Sequence, residues 1–243
     1  MHRIDALALG TILSVWAHPD DETYLAGGIM AAAADAGQRV VCVSATAGEL
    51  GTPDAVNWPP DRLGPVRRWE AAAAMAVLGV GDHRFLGLGD GTLATFDHEV
   101  GVAMVGELLD EVRPDTILTF GPDGITGHPD HVTISRWTTE AWLRRGHAGQ
   151  LLCAAMTVEH LARFGPLYEQ WGMYMTDDRP AGVAAESLAL HLVLDGTALD
   201  RKLTALAAMA SQTRDIMNGT DPVLYAAEVA EEAFVSACGG NMT

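Results

Sequence analysis

The chain has 243 residues, 49% of them hydrophobic, with a formal net charge of −17 and a pI near 4.7. That length suits one large domain or two small ones around a sizeable core. So acidic a surface repels phosphate backbones and anionic lipid, which argues against nucleic-acid and membrane partners.

The elements follow in chain order. Residues 1–17 carry Arg3 ahead of an apolar run, the outline of an export signal. Asp5 breaks the basic region, and cleavage near Ala17 would remove a strand, so the stretch reads as part of the fold. Residues 12–17 are short, apolar and followed by His-Pro, which fits a buried strand. Residues 22–36, rich in Ala, Met and Leu, predict a helix closed by Gly37. Residues 39–46 are a second, β-branched strand. Residues 50–65, rich in Pro, Gly and Asp, predict a loop, and residues 66–78 a helix stopped by Gly79. Strand 83–88, helix 98–112, strand 116–120, helix 129–145 and strand 151–158 continue the alternation. Residues 159–186 hold Gly165, Pro166, Gly172, Pro180 and Gly182 and read as a long loop. A strand at 188–194, an amphipathic helix at 199–211 and a final helix at 223–237 complete the chain.

This alternation predicts an α/β fold, with βαβ units and right-handed crossovers around a mostly parallel sheet. One domain over 1–243 is expected, with a lid-like insertion around 159–187. Cys42, Cys153 and Cys238 stand far apart, with no paired spacing. They argue against a disulfide scaffold and suit a cytoplasmic protein.

Ligands of open α/β sheets bind beyond the carboxyl ends of the strands. Two clusters fall there. The first, Ala17-His18-Pro19-Asp20-Asp21-Glu22, follows the first strand; the second, Gly127-His128-Pro129-Asp130-His131, follows the fourth. Imidazole and carboxylate are ordinary zinc ligands, and a catalytic zinc usually keeps three protein ligands. His18 and Asp21 are three residues apart, as are His128 and His131, within reach of a common ion. Asp20 is the natural base for a water activated there, and a histidine opposite can stabilise an oxyanion or protonate a leaving amine. Either cluster alone is equally a capped helix start. Two at strand ends favour chemistry, because acids and histidines converging without an ion are costly to hold together.

The motifs A-H-P-D-D-E and G-H-P-D-H resemble those of the LmbE-like, or PIG-L, N-acetylglucosaminyl deacetylase family, over most of the chain from Ile12 to Gln212. The resemblance implies a Rossmann-like fold with one zinc held by His18, Asp21 and His131, a donor set that also accepts other divalent transition metals. It implies Asp20 as general base, His128 as oxyanion stabiliser or acid, and Asp130 as the partner that orients a histidine. Weaker matches follow. Gly48-Glu49-Leu50-Gly51 resembles the family's G-E-x-G loop, Arg67 with Glu70 its R-x-x-E pair, and Asp90 a pocket acid. They imply Glu49, Arg67 and Asp90 as substrate contacts. The ordinary alternatives are an exposed loop acid at Glu49 and an i,i+3 surface ion pair at Arg67–Glu70. Two positions depart from relatives: Thr126 stands where mycothiol-pathway relatives carry tyrosine, and Met209 lies where a late histidine is frequent.

The resemblance implies hydrolysis of an N-acetylglucosaminide-type conjugate. Cleavage of a larger amide, such as a thiol-sugar conjugate, is the enzymatic alternative. A non-catalytic metal- or ligand-binding role is the alternative of another class. Tyr168, Trp171 and Tyr174 are read as packing residues before sugar platforms, and Trp58 as either. Homo-oligomerisation is left open.

Overall fold

The computed structural model describes residues 9–237. Arg3, Asp5 and Cys238 lie outside them. Seven strands form one sheet in the order β3-β2-β1-β4-β5-β7-β6. β1 (Ile12–Trp16), β2 (Val40–Ser44), β4 (Thr116–Phe120) and β5 (Gln150–Ala154) are apolar and almost wholly buried. Such runs are what a parallel sheet covered on both faces demands. β3 (Asp82–Phe85) and β6 (Leu190–Val193) are the half-exposed edges. β1 pairs in parallel with β2 and β4, and β5 extends the parallel set. β7 (Glu231–Ser236) is antiparallel to both its neighbours.

α1 (Asp21–Asp35), α2 (Pro60–Leu78) and α6 (Gly196–Ala208) pack together on one face. α3 (His98–Val112) and α4 (Pro129–Arg144) pair with each other, and α4 lies against β4 and β1. The chain runs from β1 outward to β3, then returns to place β4 on the other side of β1. The β1–β4 boundary is therefore the topological switch point, where the crossovers diverge and leave a crevice. Both motif loops open onto it. Among the described residues, no helix is long and apolar enough to cross a membrane.

Four expectations change. The stretch 50–65 is a loop only as far as Pro59, because α2 starts at Pro60 with proline in its first turn, where the missing N–H costs nothing. The stretch 159–186 is not all loop. α5 (Val158–Trp171) occupies its first half, capped by Thr157, and buries His160, Phe164 and Tyr168 at four-residue spacing despite Pro166. The expected helix 223–237 is α8 (Pro222–Val229) followed by β7. Pairing of Phe234 with Ala154 and Leu190 overrides the local preference of this stretch. The late amphipathic segment divides at Met209 into α6 and α7 (Ala210–Gly219).

Candidate functional site

His18 leaves β1 two residues after its last paired position, and Asp21 opens α1. Between them Asp20 holds a φ of 112°. A non-glycine residue rarely adopts this region, and strain of this kind collects at functional sites. On the other side of the crevice the loop after β4 tightens through Gly124, at φ 65°, and Ile125, at φ 66°. A Cβ at Gly124 would lie 2.8 Å from that of His131, so only glycine lets the loop close on the imidazole. His131 then sits in the first turn of α4, stacked on Phe120 with ring centroids 4.2 Å apart.

Nδ1 of His18 lies 3.2 Å from Nε2 of His131 and 3.6 Å from Asp21 Oδ2, and His131 Nε2 lies 3.3 Å from Asp21 Oδ1. The remaining nitrogens show where the protons are. Nε2 of His18 faces Asp90 Oδ1 at 3.0 Å and Asp130 Oδ2 at 3.3 Å, so it is the donor. Nδ1 of His131 donates to the Gly124 carbonyl at 3.0 Å. Nε2 of His131 is therefore a lone pair and Asp21 is a carboxylate, and both face Nδ1 of His18. Two acceptors this close to one imidazole nitrogen call for positive charge between them, either a proton on Nδ1 of His18 or a bound cation. Donors bound about 2.0–2.1 Å from a tetrahedral zinc lie roughly 3.4 Å apart, which the three separations match. The residues fit a divalent ion.

The charges agree. Burial alone would lower the His18 pKa, yet its bonds to Asp130, Asp21 and Asp90 carry it well above the ordinary value. Burial disfavours ionised Asp21, but the charge of His131 and the bond from His18 hold it well below the usual carboxylate range. His131 is pushed down to about 4, chiefly by burial. The surroundings of His18 and Asp21 favour positive charge at the centre of the cluster, whereas those of His131 keep its imidazole neutral.

Asp20 and His128 flank this centre. Burial raises Asp20 most; Arg67 draws it back and Asp21 pushes it up, to about 7. His128 accepts from the Asp130 amide through Nδ1 at 3.1 Å, which leaves its proton on Nε2. Its ring stands edge-on to His18 and stacks with His131, both at 4.8 Å between centroids. Burial, then the charge of His18, lowers its pKa and keeps it neutral.

Asp130 is completely buried and takes the amides of Gly91 at 2.8 Å and Leu93 at 3.1 Å as well as the His18 contact. Asp90 joins it on the same imidazole nitrogen and accepts from the Leu50 amide at 2.8 Å. Asp90 therefore contacts the same His18 nitrogen as Asp130, a contact that sequence reasoning expected only of Asp130. Its place in a Gly-Asp-Gly turn after β3 was the signal available. Glu49 accepts the Asp90 amide at 3.0 Å, a support for the support. Arg67 is buried and holds the carbonyls of Pro19 and Gly48 together with Asp20 Oδ2, the last at 3.1 Å. A Cβ at Gly48 would meet the guanidinium at 2.1 Å, so this loop is built around it. Glu70 does not pair with Arg67; it accepts from the Ser211 amide and hydroxyl.

Thr126 has its hydroxyl 3.4 Å from His131 Nδ1. Met209 is a buried core residue at the α6–α7 junction. Tyr168 is buried, with its hydroxyl bound to Glu228 at 2.8 Å and to His160 at 2.5 Å. Glu22 closes the first motif, and the sequence assigned it no role of its own. It is wholly buried, accepts the Asp20 amide and the Thr23 hydroxyl, and is raised to about 8 by burial and then by Asp20.

A mostly parallel α/β sheet with a histidine–carboxylate cluster at its switch point defines a Rossmann-like protein with a candidate metal centre. A family model described as PIG-L: GlcNAc-PI de-N-acetylase matches residues 13–142, and the chain belongs to this family. A 1D-myo-inositol 2-acetamido-2-deoxy-alpha-D-glucopyranoside deacetylase of Kineococcus radiotolerans is 40% identical over 158 residues, 54% of this chain and 44% of that one. The chain thus matches under half the length of that relative. A protein of the same name from Mycolicibacterium vanbaalenii is 33% identical over 229 residues, covering 83% of this chain and 80% of its own. Among solved structures, an N,N'-diacetylchitobiose deacetylase from Pyrococcus horikoshii superposes with a TM-score of 0.66 at 23% identity, over 96% of this chain and 85% of that one. That likeness shows the shared fold.

Proposed function

We propose that this chain is a zinc-dependent hydrolase that deacetylates an N-acetyl amino-sugar conjugate. The observation that carries the reading is the meeting of two imidazole nitrogens, from His18 and His131, with the Asp21 carboxylate at 3.2–3.6 Å, flanked by Asp20 and His128. Membership of the family, and relatives named as deacetylases of a 2-acetamido sugar, support the substrate class.

His18, Asp21 and His131 would hold the ion. When bound, zinc supplies Lewis acidity toward water and toward the amide carbonyl. Asp20, poised near neutrality, takes the proton of the attacking water as its oxygen bonds to the carbonyl carbon. Neutral His128 offers its Nε2–H to the oxygen on which charge gathers. As the carbon–nitrogen bond breaks, the proton taken by Asp20 passes to the departing nitrogen. Acetate and a free amine result. Asp130 and Asp90 keep the His18 ring aligned throughout.

The test uses the protein reconstituted with zinc and a panel of N-acetylglucosamine conjugates, with acetate and free amine as readouts. Stoichiometric release from at least one member is expected. No release from any member overturns the reading.

A further inference from the structure

A cavity of ≈ 290 Å³ opens beside the cluster, with Asp20 and Asp21 at its wall. The rest of the wall comes from α1, Ile125 after β4, the segment after β5, α5, α7, α8 and the start of β7, largely outside the stretch matched by the family model. Leu25, Met156, Trp171, Met173, Ile216 and Val229 give it an apolar character.

The polar groups at the wall are mostly engaged with one another. Tyr24 and Tyr225 join hydroxyls at 3.0 Å. Tyr168 links Glu228 and His160, and His160 reaches Glu231 at 2.8 Å. Glu232 accepts from Lys202 and from the amides of Gly28 and Ile29. Gln212 donates to the Gly51 carbonyl at 3.1 Å. A polyol entering this space would give up water and find its partners already taken, which is costly for every hydroxyl buried. One acceptor is open: Oε2 of Glu228 is buried and has no partner among the described residues. It suits a single donor at most.

We infer that this cavity receives an apolar group of the substrate, a ring or alkyl chain, while the amide sits at the histidine–carboxylate cluster. The inference rests on the deacetylase reading and deepens it. An apolar cavity of about 150 Å³ holds a benzene, so the space here takes a substituted ring or a short chain but not a whole conjugate. The group belongs either to the aglycone or to the acyl chain, and the chemistry is the same in both.

The two sources separate in a two-arm series on the zinc-reconstituted protein. One arm varies the aglycone of an N-acetylglucosaminide through methyl, hexyl, phenyl and inositol. The other keeps a methyl glucosaminide and varies the acyl group through acetyl, butanoyl and hexanoyl. Burial of each methylene favours binding roughly fourfold, so kcat/KM is expected to rise at least about tenfold along one arm, and Ile216→Trp, which fills the cavity, to flatten that rise. Quenching of Trp171 fluorescence by the hexyl or phenyl compound on metal-free protein gives a readout without turnover, with Trp171→Phe as its control. Flat series in both arms, or a preference for inositol, overturn the inference and leave deacetylation standing. Saturable quenching abolished by Ile216→Trp, with no hydrolysis in either arm, supports the cavity assignment and sinks the deacetylase reading.

Discussion

Oδ2 of Asp130 lies 3.3 Å from Nε2 of His18, a contact between residues 112 positions apart that ties the two motif loops together. Two backbone amides, from Gly91 and Leu93, fix the carboxylate from its other side. The carboxylate therefore has one orientation, and it imposes one on the imidazole. Asp130→Asn keeps the shape but loses the charge-assisted bond. Metal affinity, measured by competition with a chelator, is expected to fall about 10–100-fold. An unchanged affinity would remove Asp130 from the orienting role.

Asp20 has a different expected signature. Asp20→Asn removes the proton acceptor and leaves the three candidate ligands in place. Turnover is expected to drop by about 10²–10⁴-fold, with the metal content of the purified protein unchanged. Loss of metal along with activity would make Asp20 a ligand instead of a base.

Arg67 separates a positioning role from a substrate contact. Its guanidinium joins Pro19, Asp20 and Gly48 from one buried point. Arg67→Met strands those acceptors, and a stability loss of about 3 kcal/mol is expected from urea unfolding. The kinetic effect should fall on kcat with KM nearly unchanged. A rise in KM alone would restore Arg67 as a sugar contact.

The ion pair of Lys202 and Glu232 is 2.8 Å long and fully buried, and it joins α6 to β7. Lys202 also donates to the Tyr24 carbonyl at 2.7 Å. Lys202→Met leaves an uncompensated buried carboxylate and is expected to cost about 3–5 kcal/mol. The double replacement Lys202→Met with Glu232→Leu should recover part of that loss in chemical denaturation. No recovery would mean that Glu232 matters mainly through the amides of Gly28 and Ile29.

Glu231 sets a pH dependence. Burial opposes its ionisation, but His160, helped by Thr157 and His191, lowers its pKa below the ordinary 4.5. The folded state therefore favours the ionised form. Its stabilisation is complete above the ordinary carboxylate range and is lost as pH falls through the lowered folded value. The thermal midpoint of Glu231→Gln should fall less steeply on acidification than that of the unaltered protein. Parallel slopes would exclude Glu231 as a source of acid sensitivity.

Much of the fold was legible because its strands are buried on both faces. Runs such as residues 12–16 and 116–120 can hardly be read otherwise, and the histidine clusters fell directly after them. What misled was local chemistry overruled at long range. Gly165 and Pro166 look like a loop, yet His160, Phe164 and Tyr168 bury one face of a helix there. The stretch 231–236 looks helical until β5 and β6 are present to pair with it. At the site, ligand-type residues announce themselves by spacing, whereas Asp90 was marked only as a pocket acid and its contact with His18 across the turn after β3 was not legible. Arg67 was visible, but its orientation depends on carbonyls from two distant loops.

Because β7 runs against its neighbours, its beginning, not its end, arrives at the rim where the parallel strands finish. The last third of the chain is thereby delivered to the same opening as the two motif loops, from the opposite direction. The cavity beside the cluster is thus walled jointly by the first helix and by the C-terminal segments. A shift of β7 would therefore be felt in the middle of α1, where Glu232 holds the amides of Gly28 and Ile29.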